Sequence, residues 1–279
     1  LGGLVTVNVL APIFASGAGA IAVYGHSLGG TADPVVTVAP SQTVTATSGA
    51  SAVVLDGSIN SLTNYGRVLG SVTKQDILTE TALETRGNGF TTLSNYGKMT
   101  GNINAQSGTI TATNYATGTL MAGATLNLGS PSSTLTNYGT FASAASATAR
   151  TISDTNINGS FIQDRAGITF VRVDSPINGM DKFIVSGDAT LDGLLKPVPV
   201  DRSMIAPGSF TSTIFQTSGT LNSENARILD QSIIMSYNLA ASASGIALTA
   251  TANFTPPGMS SYGTQVGGSI GAMQTAGSS

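Results

Sequence analysis

The 279-residue chain contains no cysteine and no tryptophan, a single histidine, and only 9% charged side chains. Without cysteine there are no disulfides and no thiolate metal sites, and one histidine alone makes a zinc centre improbable. Charged residues normally make up ~25% of a soluble protein; here Thr, Ser, Asn and Gly stand in their place, a substitution that suits stacked strands better than helices. Net charge is −3 and the pI is near 4.9, so no basic stripe is available to neutralise phosphates, and nucleic acid is excluded as a partner. Residues 1 to 32 hold no Lys, Arg, Asp or Glu. Thr6, Asn8, Pro12 and Ser16 interrupt this run and no basic residue flanks it, which argues against a membrane span or a signal peptide. It reads as a buried first strand or cap, or as an apolar arm that docks on a neighbouring subunit. The leading Leu1 suggests a processed or truncated product.

What the chain does have is an internal repeat. Leu-Thr-Asn-Tyr-Gly at Leu62 to Gly66 returns as Leu-Ser-Asn-Tyr-Gly at Leu93 to Gly97, degrades to Ala-Thr-Asn-Tyr-Ala at Ala112 to Ala116, and recurs at Leu135 to Gly139. Successive Asn residues (Asn64, Asn95, Asn114, Asn137) are 31, 19 and 23 apart. That is the scale of solenoid coils with variable loops. Leu is expected to point inward, Asn to accept a left-handed turn and bond to its counterpart one coil away, and Gly to permit the corner. Tyr65, Tyr96, Tyr115 and Tyr138 would then stack, giving an amide and aromatic ladder that is structural first and a ligand-binding stripe second. Period-two pieces such as Gly108 to Thr113 and Thr119 to Ala122 supply the strands between repeats. Each is too short to bury a face alone, but stacked coils share one interior.

Within the longest interval the stretch Lys74 to Arg86 holds five charged residues, Lys74, Asp76, Glu80, Glu84 and Arg86. It is expected to protrude as a loop or short amphipathic helix, the kind of place where solenoids put recognition.

From Phe161 onward the pattern changes. The run Ile168 to Asp174, then Met180-Asp181-Lys182-Phe183-Ile184-Val185-Ser186-Gly187-Asp188-Ala189-Thr190-Leu191-Asp192-Gly193-Leu194-Leu195, resembles the C-terminal passenger coils of bacterial autotransporters (type V secretion, Gram-negative). Phe210 to Leu221, Ile233 to Tyr237 and Gly245 to Thr251 look like the closing strands of such passengers. Asn253 to Met259, with Gly263 to Met273, is similar to the linker that leads toward the membrane barrel. The resemblance covers roughly residues 46 to 273, and the amphipathic strands of a translocator barrel are absent from it. It implies an all-β, right-handed parallel β-helix, and the repeat scale gives roughly ten coils. The expected organisation is an uncharged arm or cap over 1–45, Asn-Tyr-Gly coils over 46–160, passenger-end coils over 161–252 and a linker-like tail over 253–279. The absence of cysteine fits secretion across a bacterial envelope.

Candidate chemistry is sparse. Gly25-His26-Ser27-Leu28-Gly29 matches the Gly-x-Ser-x-Gly nucleophile elbow and nominates Ser27. The mechanism needs a separate His as base, yet the only one lies inside the motif, and Asp33-Pro34 followed by Val35 to Val38 reads as strand where a helix should open. Glycoside cleavage needs paired carboxylates, and no acidic residue occurs between Glu84 and Asp154. Asp174, Asp181, Asp188 and Asp192 lack calcium-loop spacing and read as turn and corner carboxylates. No cofactor or metal is expected, and no enzymatic activity. The reading that results is a secreted or cell-surface structural protein that self-associates into a filament or surface layer through coil ends and the N-terminal arm. A translocator barrel would be its partner during secretion. The alternative is a monomeric adhesin binding host protein or glycan, with a Ser27 hydrolase as a remote third.

Overall fold

The computed structural model describes residues 4–27, 33–70, 80–143, 151–200, 205–229, 232 and 234–277. It is an all-β chain wound as a parallel β-solenoid of about seven turns, closed by one short C-terminal helix. Each coil contributes a strand to three sheets. The first sheet stacks β1 (Val5–Val9), β4 (Pro34–Val38), β7 (Ile59–Asn64), β10 (Phe90–Asn95), β12 (Thr109–Asn114), β14 (Thr134–Asn137), β17 (Ser160–Gln163), β21 (Ala189–Leu191) and β24 (Leu221–Asn222). The second stacks β2 (Ile13–Ser16), β5 (Thr43–Thr47), β8 (Arg67–Gly70), β11 (Lys98–Ala105), β13 (Thr119–Asn127), β15 (Thr140–Ser143), β18 (Ile168–Asp174), β22 (Leu194–Pro199) and β25 (Arg227–Ile228). The third stacks β3 (Ile21–His26), β6 (Ser51–Asp56), β9 (Thr81–Arg86), the far ends of β11 and β13, β16 (Asp154–Asn158), β20 (Lys182–Val185) and β23 (Gly208–Thr217). Strands β11 and β13 are long enough to turn the corner and serve two sheets, with a register shift between Gly101 and Ile103.

Period-two sequence explains the walls. In β4 the side chains alternate buried and half-buried, so Val36 and Val38 enter the core while Val35 and Thr37 face out. Parallel register then lines the inward residues into columns. Val36, Leu62, Leu93, Ala112, Leu135, Phe161, Ala189 and Leu221 form one of them, so the Leu of the repeat is indeed internal. Burying each such Leu contributes about 1.5–3 kcal/mol. Toward the C-terminal half Phe141, Phe161, Phe183 and Phe215 fill the interior, with ring centroids 4.8 to 5.8 Å apart.

Two expectations need correction. The coil number is lower than ten, because the corners absorb extra residues and the column above averages about 26 residues per turn rather than ~20. The uncharged start is not an arm: β1, β2 and β3 are the first coil, paired in parallel with β4, β5 and β6. Across residue 160 the coils continue, with pairing from β14 through β17 to β21.

The C-terminal end departs from the parallel pattern. Strand β18 folds back on β19 (Gly179–Met180) as a small hairpin. Strand β23 pairs antiparallel with β27 (Gly245–Ala252), which pairs antiparallel with β26 (Met235–Ala241), closing the third sheet. The linker-like tail then forms α1 (Ser261–Gly277). Its glycines dock it: a Cβ on Gly267 would lie 2.0 Å from the Phe254 carbonyl oxygen, and one on Gly271 would touch the Phe254 side chain. Gln274 Oε1 accepts a hydrogen bond from the Ile205 N–H at 2.8 Å. No described helix is long and apolar enough to cross a membrane.

Candidate functional site: the ladder corner and the outer clusters

The Asn-Tyr-Gly corner lies between the first and second sheets. Asn64, Asn95, Asn114 and Asn137 end their strands in register, each 1% exposed or less. Asn64 Nδ2 donates to Asn95 Oδ1, Asn95 to Asn114 and Asn114 to Asn137, all at 2.7 Å. Each of the three donors also reaches a backbone carbonyl: Lys98 at 3.1 Å, Thr119 at 3.2 Å and Thr140 at 2.9 Å. The amides therefore form a head-to-tail chain in which each bond polarises the next. Its two ends, Asn64 Oδ1 and Asn137 Nδ2, are buried without a partner among the described residues. Val38 precedes the chain in the same column and Gln163 follows it, the Gln163 amide donating to Gly167 and Leu194 carbonyls at 3.0 and 2.9 Å.

The expected left-handed turn is not the reason for Asn. Non-glycine residues at positive φ are Ser41, Ser48 and Asn178 among the described residues, and none belongs to the repeat. Nor does the corner glycine use positive φ. A Cβ on Gly97 would lie 2.0 Å from Gly66 O, and one on Gly139 would lie 2.3 Å from Gly118 O. Close approach of successive backbones is what demands glycine here. The degraded repeat obeys the same rule two residues late: Gly118, where a Cβ would meet Asn95 O at 2.4 Å, takes over the role that Ala116 cannot fill.

Tyrosines leave the corner outward and stack. Centroids are 5.0 Å apart for Tyr65 and Tyr96, 4.1 Å for Tyr96 and Tyr115, and 6.5 Å for Tyr115 and Tyr138. Each contact contributes about 0.5–1.5 kcal/mol beyond burial. The hydrogen bond to Tyr115 pushes the Tyr96 phenol above its ordinary range.

Of the charged interval, Lys74 and Asp76 lie outside the described residues. Glu84 and Arg86 do not protrude on a loop or helix; they sit on β9 in the third sheet, with Glu80 immediately before it. Glu80 Oε2 accepts the Gly49 N–H at 2.7 Å. Glu84 accepts Arg86 Nε at 2.8 Å, Gln106 Nε2 at 2.7 Å and Ser51 Oγ at 3.0 Å, and this carboxylate holds the Arg86 guanidinium up. On the neighbouring strands Tyr24 Oη donates to Asp56 Oδ2 at 3.0 Å, His26 Nδ1 lies 3.0 Å from the same oxygen, and Arg86 sits 5.8 Å over the Tyr24 ring. Burial first, and then the Asp56 hydrogen bond, raises the Tyr24 phenol. Tyr24, His26, Asp56, Glu84 and Arg86 thus form one outer cluster. Both of its carboxylates are engaged by neighbouring side chains.

Ser27 follows β3 directly, and its N–H donates to Asp56 O at 2.9 Å. Its Oγ is buried without a partner among the described residues. It lines a cavity of about 400 Å³ with Asp56, Gly57, Ser58, Gly87, Asn88, Gly89 and Phe90. Adjacent residues of an extended chain project to opposite sides, and His26 Nδ1 is engaged with Asp56, so among the described residues the histidine is not paired with Ser27. Residues 28–32, which would form the elbow after Ser27, lie outside the described residues.

The four C-terminal aspartates divide. Asp188 Oδ1 accepts the Thr220 N–H at 2.7 Å and Asp192 accepts Asn225 Nδ2 at 3.1 Å, as turn carboxylates do. Asp181 corrects the expectation for itself. It is 1% exposed and forms a bidentate pair with the equally buried Arg172, at 2.6 Å to Nη2 and 2.8 Å to Nε. Backbone N–H groups of Ser153 and Arg172 also donate to it, both at 2.9 Å. Desolvation pushes the Asp181 carboxyl up against the pull of these donors. Among the described residues no three His, Cys, Asp or Glu side chains converge to hold a metal ion.

In comparisons with known proteins, no family model and no curated protein sequence matches the chain.

Proposed function

We propose that the chain is the passenger of a secreted, cell-surface protein of the autotransporter kind, a right-handed β-helix that works as a non-enzymatic structural rod and self-associates side by side. The observation that carries this reading is the first sheet. None of its nine described strands contains Asp, Glu, Lys or Arg. Its outer surface is a field of Thr and Ser in register, interrupted by the exposed apolar side chains of Ile59, Phe90 and Ile162. Charge is the usual guard against association of such faces. A parallel sheet of nine strands gives two such chains a matching surface without any coil having to open. On the first described coil Leu10 and Phe14 are exposed apolar side chains, and they supply a second contact.

The test is negative-stain electron microscopy with sedimentation velocity, on the wild-type chain and on a Thr92→Lys/Thr134→Lys variant that places two charges on the face. Bundles or sheets from the wild type, dispersed to single rods by the variant, support the reading. Single rods from the wild type at every concentration up to its solubility limit would overturn it.

A further inference from the structure

The tyrosine stack is not uniform, and its irregularity makes a site. Tyr65, Tyr96 and Tyr115 lie face to face at 5.0 and 4.1 Å, so their ring faces are consumed by one another and nothing can insert. The next step opens to 6.5 Å with the rings inclined at 21°. The cause is in the sequence: the corner at Asn114 runs Tyr115-Ala116-Thr117-Gly118, two residues longer than its neighbours, and displaces one ring relative to the next. One coil further on the corner reads Gln163-Asp164-Arg165-Ala166-Gly167, so Asp164 takes the place of the aromatic after Tyr138 and turns its Oδ1 to the Ala166 N–H at 3.1 Å, and Ala166 borders the space beside the Tyr138 ring. The result is an open cleft of about 450 Å³ lined by Thr113, Tyr115, Ala116, Thr136, Tyr138 and Ala166. That volume lies within the usual range for small-ligand sites, roughly 300–1,000 Å³.

The lining selects the ligand by elimination. It holds no charged side chain, so neither an anion nor a cation finds a counter-charge. Thr113 and Thr136 face outward in register, and their hydroxyls make no hydrogen bond among the described residues. A flat hydrocarbon would leave these hydroxyls dry, at a cost of about 1–3 kcal/mol each. A neutral pyranose satisfies both features, with one face of axial C–H groups laid on a phenol ring and an equatorial hydroxyl edge turned to the two threonines. We propose that the cleft at Tyr138 binds a single neutral sugar unit, a saccharide-recognition site that goes beyond the structural role and does not depend on it. The rest of the stack serves as a rigid support.

Saturation-transfer NMR with the methyl glycosides of glucose, galactose, mannose and N-acetylglucosamine tests this on the full chain. At least one should bind with a Kd of about 1 mM, with transfer from Tyr ring protons. Tyr138→Ala should weaken binding at least tenfold, and so should Ala166→Leu, which fills the cleft while leaving every stacked ring in place. Tyr65→Ala, at the far end of the stack, should leave binding unchanged. The proposal fails if none of the four glycosides binds, if the Ala166→Leu variant binds as well as wild type, or if Tyr65→Ala is as damaging as Tyr138→Ala. Assembly is read separately, because the Thr92→Lys/Thr134→Lys variant alters none of the six lining residues.

Discussion

Replacing Asn95 by alanine should cost far more than its single lost side chain suggests. Asn95 Nδ2 donates to Asn114 Oδ1 and to the Thr119 carbonyl, and Asn95 Oδ1 accepts from Asn64. Truncation leaves Asn114 Oδ1 and the Thr119 carbonyl without that donor in a buried corner, and takes from Asn64 one of its two acceptors. A buried polar group stripped of its partner costs about 1–3 kcal/mol. With two such groups the expected loss is about 2–6 kcal/mol. Asn137→Ala removes only the acceptor for Asn114 Nδ2, which keeps the Thr140 and Gly118 carbonyls at 2.9 and 3.3 Å. Its cost should stay near 1 kcal/mol. The informative control replaces all four ladder residues with leucine. The same column already holds Val38 before the chain and Leu191 after Gln163, so the corner geometry accepts an aliphatic side chain. Removing every partner together leaves few orphaned groups, and the quadruple variant should be less destabilised than Asn95→Ala alone. Stacked coils open in part as well as globally, so stability should be read by native-state hydrogen exchange of the Tyr96, Tyr115 and Tyr138 amides together with urea unfolding followed by circular dichroism. If Asn95→Ala costs less than Asn137→Ala, or if the quadruple variant is the least stable of the three, the ladder does not act as a connected chain and the reasoning is wrong.

Three further outcomes are expected. Arg172→Met should destabilise by about 3–5 kcal/mol because it strands a buried carboxylate, whereas Arg172→Met/Asp181→Leu should recover much of the loss; urea unfolding of the two variants distinguishes them. Gly97→Ala puts a Cβ 2.0 Å from the Gly66 carbonyl oxygen, so it should cost about 3 kcal/mol or more and expose the Tyr65 and Tyr96 amides to exchange. Burial pushes the Tyr237 phenol up to about 12, above the ~10 of an unfolded chain. A pKa raised on folding gives stability that is fully present below about pH 10 and is lost as pH rises toward 12, here up to about 2 kcal/mol. Thermal melts across that window should show the loss in the wild type and a smaller one in Tyr237→Phe.

The repeat was legible because parallel register lines it up: four successive coils place an amide and a close-packed glycine at one corner, so the same letters return. The direction of the Leu and the stacking of the Tyr follow from period-two alternation and needed nothing else. Coil number was not legible, since the backbone hydrogen bonds fix only the stacking, and Gly118 shows how a corner can lengthen by two residues and still meet its neighbour. The Arg172–Asp181 pair depends on the β18–β19 hairpin bringing residues nine apart together inside the wall. The cluster of Tyr24, Asp56 and Arg86 depends on parallel register between β3, β6 and β9, across separations of about thirty residues that no local pattern marks. The linker-like reading of the tail rests on resemblance and names no helix; Gly263, Gly267, Gly268 and Gly271 each cost about 1 kcal/mol in helix propensity, and docking of Gly267 and Gly271 on Phe254 offsets that cost in α1. The cleft at Tyr138 left one trace in the sequence, the decay of Asn-Tyr-Gly to Asn-Tyr-Ala.

The two corner columns, amide and glycine, decouple the length of the rod from the length of its chain. Rise per turn is set by strand spacing, about 4.8 Å, whether a turn takes 19 residues or 31. Residues added at a corner therefore widen the object and never lengthen it. Such a rod behaves as a ruler with detachable ornaments: its reach is counted in asparagines and glycines, while whatever it presents sideways can be rewritten without moving the far end.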